Sequence, residues 1–224
     1  QRVAIGRAMA RPADVLMLDE PLTNLDARLR IALRIEFKQI HRSLGRTIVY
    51  VTHDQVEAMS LSDRVAILHE GQFQQIGSPD DVYHRPGNRF VAEFIGQSPM
   101  SFVAATLEDV GDVPGIRIGA RRYPMPDLRR LEAYGRTPAE VACGIRAEAI
   151  RVGPVASEAT PHEAKVLWVE RLGSHCILDL AFGATTLKAR VPPDGPFADG
   201  EGVWFGFEPR PDHLLDPGSD RFLR

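Results

Sequence analysis

Residues 15–21, Val15-Leu16-Met17-Leu18-Asp19-Glu20-Pro21, run four apolar side chains straight into two adjacent carboxylates and a proline. A short, unbroken apolar run predicts a parallel strand covered on both faces. The carboxylates then fall at its C-terminal end, the edge of an α/β sheet where ligands bind. In a nucleotide site the first such carboxylate holds Mg²⁺, usually through water, and the second polarises the water that attacks the γ-phosphate. A strand followed by an acidic helix cap would produce the same residues, so the flanking sequence has to decide.

On the C-terminal side, Leu22-Thr23-Asn24-Leu25-Asp26 reads as a turn ending in a helix N-cap. Residues 26–44 carry Leu29, Leu33, Phe37 and Ile40 at helical spacing, and Gly45 closes the helix. Residues 47–52 form a second β-branched strand, which ends at His53-Asp54. The two strands thus present Asp19-Glu20 and His53 at one edge, where a histidine can contact a γ-phosphate and fix the attacking water. Residues 55–62 predict a short helix, and residues 64–69 and 72–76 a hairpin around Glu70-Gly71. Pro79 opens another helix, and residues 88–95 form the last of this series. On the N-terminal side, residues 1–10 read as a helix stopped by Arg11-Pro12. Alternating elements of this kind predict an α/β layer with a mostly parallel sheet.

The texture changes after Gly96. Short alternating segments at 102–110, 115–118, 141–146, 163–172, 175–180, 185–191, 203–207 and 213–215 recur between Gly and Pro punctuation. They predict a small all-β barrel or sandwich. Residues 127–134 read as a short helical insert, and residues 97–99 and 153–162 as linkers. Two domains are therefore expected, 1–96 and 97–224. Trp168 and Trp204 are expected in the β core, as is Cys143 within its apolar run. His162, His175 and His213 have no metal-ligand spacing and read as ordinary polar residues.

Bulk properties narrow the partners. The net charge is −3, so nothing in it attracts nucleic acid. The two cysteines, Cys143 and Cys176, form no CxxC or His/Cys cluster, which argues against a zinc site or a disulfide framework. No stretch approaches the ~20 apolar residues needed to cross a bilayer.

With those residues in place, the chain resembles the ATP-binding cassette (ABC) transporters' nucleotide-binding subunits. Residues 1–8 are similar to the helix after the family's signature loop, 15–21 to its Walker B strand, Leu25-Asp26 to its D-loop and His53-Asp54 to its switch histidine loop. The resemblance implies an α/β fold, a partial P-loop NTPase cassette with a mostly parallel sheet, followed by an all-β OB-like barrel. It implies ATP and Mg²⁺ as cofactors, with Asp19 as the Mg²⁺-linked carboxylate, Glu20 as catalytic base and His53 as γ-phosphate sensor. Asp26 would communicate between two cassettes, and Gln1 would lie at the end of the loop that touches the opposite subunit's ATP. Residues 71–86, 89–96, 141–150 and 207–215 are similar to importers of sugars, glycerol phosphate, polyamines and related solutes, whose C-terminal extension is the OB-like TOBE region. Ala147 stands where that extension usually has proline. The implied partners are a second copy of the subunit, transmembrane permease subunits and, indirectly, a periplasmic or extracellular solute-binding protein, at the cytoplasmic face of the inner or plasma membrane.

The phosphate cradle G-x-x-x-x-G-K-[ST] is absent from these residues, because the three lysines follow Phe37, Ala164 and Leu187. The chain opens on Gln1 inside a helical pattern rather than on Met, so N-terminal truncation is expected, and with it a fragment inactive alone. The alternative is a non-catalytic regulatory or dimerisation module of such a transporter.

Overall fold

The computed structural model describes Gly6 and residues 13–23, 25–130 and 140–223. It divides into two compact units, residues 1–67 with 76–81, and residues 68–75 with 82–224. The expected helix over residues 1–10 lies outside the described residues apart from Gly6.

In the first unit, β1 (Val15–Asp19) and β2 (Thr47–Val51) pair in parallel, in register from Val15 opposite Thr47 to Asp19 opposite Val51. The connection between them is α1 (Ala27–Leu44). Asp26 caps α1 by accepting the Leu29 amide at 2.9 Å, and Gly45 ends it in the left-handed region at φ 61°. Side chains alternate along each strand, so Leu16, Leu18, Ile48 and Tyr50 share one face and pack with Leu33 and Phe37 of α1. Val15, Met17, Val49 and Val51 take the other face. The sequence predicts cover on both faces, but among the described residues that second face is exposed, with Met17 at 76%. After α2 (Gln55–Leu61), strands β3 (Val65–His69) and β4 (Gln72–Gly77) form the expected two-stranded hairpin. Its turn residues Glu70 and Gly71 both have positive φ, as a two-residue turn of this hand requires.

In the second unit the helical segments α3 (Pro79–His84, from Val82 on) and α4 (Arg89–Phe94) precede two antiparallel sheets. The first contains β5 (Ser101–Val110), β6 (Val113–Ile118), β7 (Arg121–Pro124), β8 (Glu140–Ile145), β14 (Leu214–Asp216) and β15 (Arg221–Phe222), in the order β15-β14-β8-β5-β6-β7. The second contains β9 (Arg151–Gly153), β10 (His162–Arg171), β11 (Cys176–Phe182), β12 (Thr185–Val191) and β13 (Gly202–Gly206), in the order β12-β11-β10-β13-β9. They share one core that includes Val103, Ile116, Ile118, Cys143, Leu178, Leu187 and Phe205. Gly206 is required by close approach, since a Cβ there would lie 2.0 Å from the Ala159 carbonyl oxygen.

The reading of both tryptophans as core aromatics needs correction. Trp168 is 59% exposed rather than a core aromatic, because the register of β10 shifts between Val166 and Trp168. Trp204 is half-buried. His162 and His213, read as ordinary polar residues, are buried and hydrogen-bonded. His162 Nε2 lies 2.6 Å from the Tyr123 hydroxyl among the rings of Phe182, Phe205 and Phe207. His213 Nε2–H donates to the His84 carbonyl at 3.0 Å. The expected insert at 127–134 is a 3₁₀ turn over Pro126–Arg130, and its remainder lies outside the described residues.

Arg146 ends β8 as a buried guanidinium. It donates to the carbonyls of Tyr83 (2.9 Å), Ala92 (3.0 Å) and Ile95, gathering the C-terminal ends of α3 and α4. Its planar fork also lies 4.3 Å above the Tyr83 ring, whose hydroxyl donates to Glu148.

Candidate functional site

The parallel register sets Asp19 beside Val51, and the next amide, Glu20 N–H, continues the ladder to the Val51 carbonyl at 2.9 Å. The chains leaving β1 and β2 are therefore held side by side. Glu20 then turns sharply, with φ 43° in a region that residues bearing a Cβ seldom occupy. Such an outlier needs surrounding contacts to hold it, and here both carboxylate oxygens have partners. Oε1 lies 2.9 Å from His53 Nδ1, and Oε2 accepts the Thr23 hydroxyl at 3.1 Å.

These contacts set the electrostatics. The His53 hydrogen bond, then that of Thr23, holds the Glu20 carboxyl below its ordinary range against a small opposing effect of burial. The same bond, with the carboxylate's charge, raises the His53 imidazole above its ordinary 6.5. An ionised Glu20 only accepts, so His53 Nδ1 carries the shared proton. Nε2 is then an acceptor in the neutral ring and a donor in the cation. Both side chains are substantially exposed, 44% for Glu20 and 68% for His53, so the pair is open to solvent.

Asp19 is exposed at the end of β1, on the face shared by Val15 and Met17. Its carboxylate is a hard oxygen donor. No group of three or more His, Cys, Asp or Glu side chains converges among the described residues. A cation here would rest on one or two carboxylates plus ligand oxygens and water, which suits Mg²⁺. Asp26 is on the following turn, where its Oδ1 caps α1. Gln1 lies outside the described residues.

Sequence reasoning missed the scaffold around His53. Thr52 Oγ1 accepts the Asp54 amide at 3.0 Å and donates to Glu57 Oε2 at 2.9 Å. The Tyr50 hydroxyl donates to the same oxygen at 2.9 Å, and burial with this bond pushes its pKa far up. Glu57 is only 3% exposed. Asp54 Oδ1 caps α2 through the amides of Val56 and Glu57, while Oδ2 lies 3.6 Å from Arg30. Arg30 also donates to the Leu25 carbonyl at 3.1 Å, tying the turn after β1 to the turn after β2. Asp54-x-x-Glu57 is legible as a capping pattern. The return of Glu57 to two hydroxyls on β2 and its end is not.

Residues 143–215 match the family model of the TOBE domain. Over its full length the chain is 41% identical to the sulfoquinovosyl glycerol transport ATP-binding protein SmoE of Agrobacterium fabrum, covering 61% of that protein. It is also 41% identical over its full length to the trehalose/maltose import ATP-binding protein MalK of Thermococcus litoralis, again covering 61%. With the sn-glycerol-3-phosphate import ATP-binding protein UgpC 1 of Rhizobium johnstonii it shares 43% identity over the full chain and 59% of the relative. The chain thus spans about three fifths of the length of the curated relatives it matches.

Proposed function

We propose that this chain is part of an ABC transporter ATP-binding subunit of the import branch that carries a TOBE domain, and that the subunit hydrolyses ATP to drive solute uptake. The observation that carries this reading is the 2.9 Å contact between Glu20 and His53, on two parallel strands ending at one edge.

In this mechanism Glu20 stays ionised and exchanges one of its two hydrogen bonds for the attacking water, whose proton it accepts as bond formation proceeds. His53, oriented through Nδ1, presents Nε2 to the γ-phosphate and the water. Asp19 is the residue that would hold Mg²⁺, whose charge would neutralise that of the phosphates when bound. Asp26 and Gln1 serve a second copy of the subunit across the nucleotide.

The division of labour follows the sequence: residues 1–96 serve the ATPase cycle, and residues 97–224 dimerisation or regulation. The relatives' names support a sugar, a glycerol phosphate or a similar solute, with permease subunits as membrane partners and a solute-binding protein acting through them. No helix among the described residues is long and apolar enough to cross a membrane. That is compatible with a peripheral place on the cytoplasmic face, held by those permeases.

The test is steady-state ATP turnover by the complete subunit with its membrane partners. Glu20→Gln is expected to lower kcat by about a hundredfold or more, the scale of a lost general base. Turnover that survives Glu20→Gln at the wild-type rate would remove Glu20 as the base, and no turnover by the wild-type complex would favour the alternative, a non-catalytic regulatory or dimerisation module.

A further inference from the structure

Glu57 is a buried carboxylate that the proposed mechanism does not use. It sits 3% exposed on the first turn of α2, four residues beyond His53. A carboxylate this deep is costly unless donors satisfy it, and both donors come from the strand that delivers His53. Tyr50 and Thr52 each place a hydroxyl 2.9 Å from Oε2. The Tyr50 ring meets Phe37 edge-on within the core, so one side of this arrangement is anchored in packing.

The Thr52 hydroxyl carries a single proton. Committing it to Glu57 turns the oxygen's lone pairs toward the Asp54 amide, which Oγ1 accepts at 3.0 Å. That bond closes a turn with His53 at its centre. Asp54 is fixed in turn by capping α2 at Val56 and Glu57. The backbone is thus pinned immediately before and after His53. The exposed imidazole is restrained further by its contact with Glu20.

We propose that Glu57, acting through Thr52, is a positioning residue for His53, holding its turn so that the imidazole meets Glu20 and the substrate phosphate. The inference rests on the hydrolytic reading for its functional consequence, but its structural content can be read without nucleotide.

Two measurements test it together. The first is ATP turnover by the complete subunit in its transporter. Thr52→Val, which keeps shape and removes the hydroxyl, and Glu57→Leu should each lower kcat about tenfold or more while leaving KM for ATP near wild type, as small misplacements of a reacting group do. Thr52→Ser and Glu57→Gln, which keep a donor and an acceptor, should restore most of the rate. In a His53→Ala background the same changes should cost nothing further, because their effect passes through His53. A loss of equal size in that background overturns the proposal.

The second measurement is the ¹⁵N spectrum of the His53 imidazole in the complete subunit. Wild type should show the Nδ1–H tautomer bonded to Glu20, and Thr52→Val and Glu57→Leu should show averaged tautomers. An unchanged imidazole in both variants overturns the proposal whatever the rates. If the wild-type complex does not turn over ATP, the hydrolytic reading fails, and the positioning is decided on the spectrum.

Discussion

Glu20 combines a backbone conformation that disfavours its side chain with a side chain held from two directions. Its left-handed φ and its bonds to His53 and Thr23 support each other, since the turn aims the carboxylate at both partners. The pair also makes a pH-dependent contact. His53's share is fully present below its unfolded value near 6.5 and is lost as pH rises through the higher folded value. Glu20's share is present above its unfolded value and is lost as pH falls through the lower folded one. An NMR titration of His53 should therefore give a pKa above 6.5, and Glu20→Gln should return it toward 6.5. A wild-type value at or below 6.5 would show that the contact does not persist in solution. Asp19, Glu20 and His53 were legible in the sequence because each stands just where an apolar run stops. Thr52, Glu57 and Arg30 were not. Their roles come from side chains that reach across a helical turn or between loops, and no periodicity encodes that.

Elements were more legible where pattern alone decides them. The strand at 15–19, the helix closed by Gly45 and the Glu70-Gly71 hairpin all form as expected, because caps and turn residues act locally. The short strands β7, β9 and β15 escaped notice, being two to four residues long and without alternation. The bulge that turns Trp168 outward was also hidden, since a register shift depends on the partner strand. Two buried polar groups give tests at this scale. Burial, with a smaller contribution from Arg121, holds His162 below its ordinary 6.5. Stability is thus present above the unfolded value and falls as pH drops from there toward the folded one. His213 shifts in the same direction, chiefly through burial. Urea denaturation at about pH 7.5 and about pH 5.5 should show His162→Phe to be less acid-sensitive than wild type, with part of the slope left by His213. Arg146→Lys should cost about 2 kcal/mol or more in the same assay. An ammonium cannot reproduce a fork shared by three carbonyls. A variant as stable as wild type would remove Arg146 as the tie between α3, α4 and the end of β8.

For the whole molecule, the sequence changes character after Gly96, while compactness groups residues 82–96 with the antiparallel sheets. The difference is physical. Hydrophobic spacing marks α4 as a helix but cannot say what it packs on, and Ala92 packs with Met100, Phe102, Leu215 and Phe222. Likewise, the apolar run of β1 predicts cover on both faces, while the described residues cover one of them. The parallel β1–β2 pair and the TOBE match at 143–215 accord with the proposed account, a transport ATPase with a β-rich extension. Its central claim is that Glu20 performs the hydrolytic step rather than nucleotide binding. The most direct test is the identity of the nucleotide retained by the complete Glu20→Gln subunit after incubation with labelled ATP and Mg²⁺. The account predicts uncleaved ATP, bound about as tightly as by wild type and persisting while the wild type converts its own to ADP. Conversion to ADP by Glu20→Gln at the wild-type rate would contradict it.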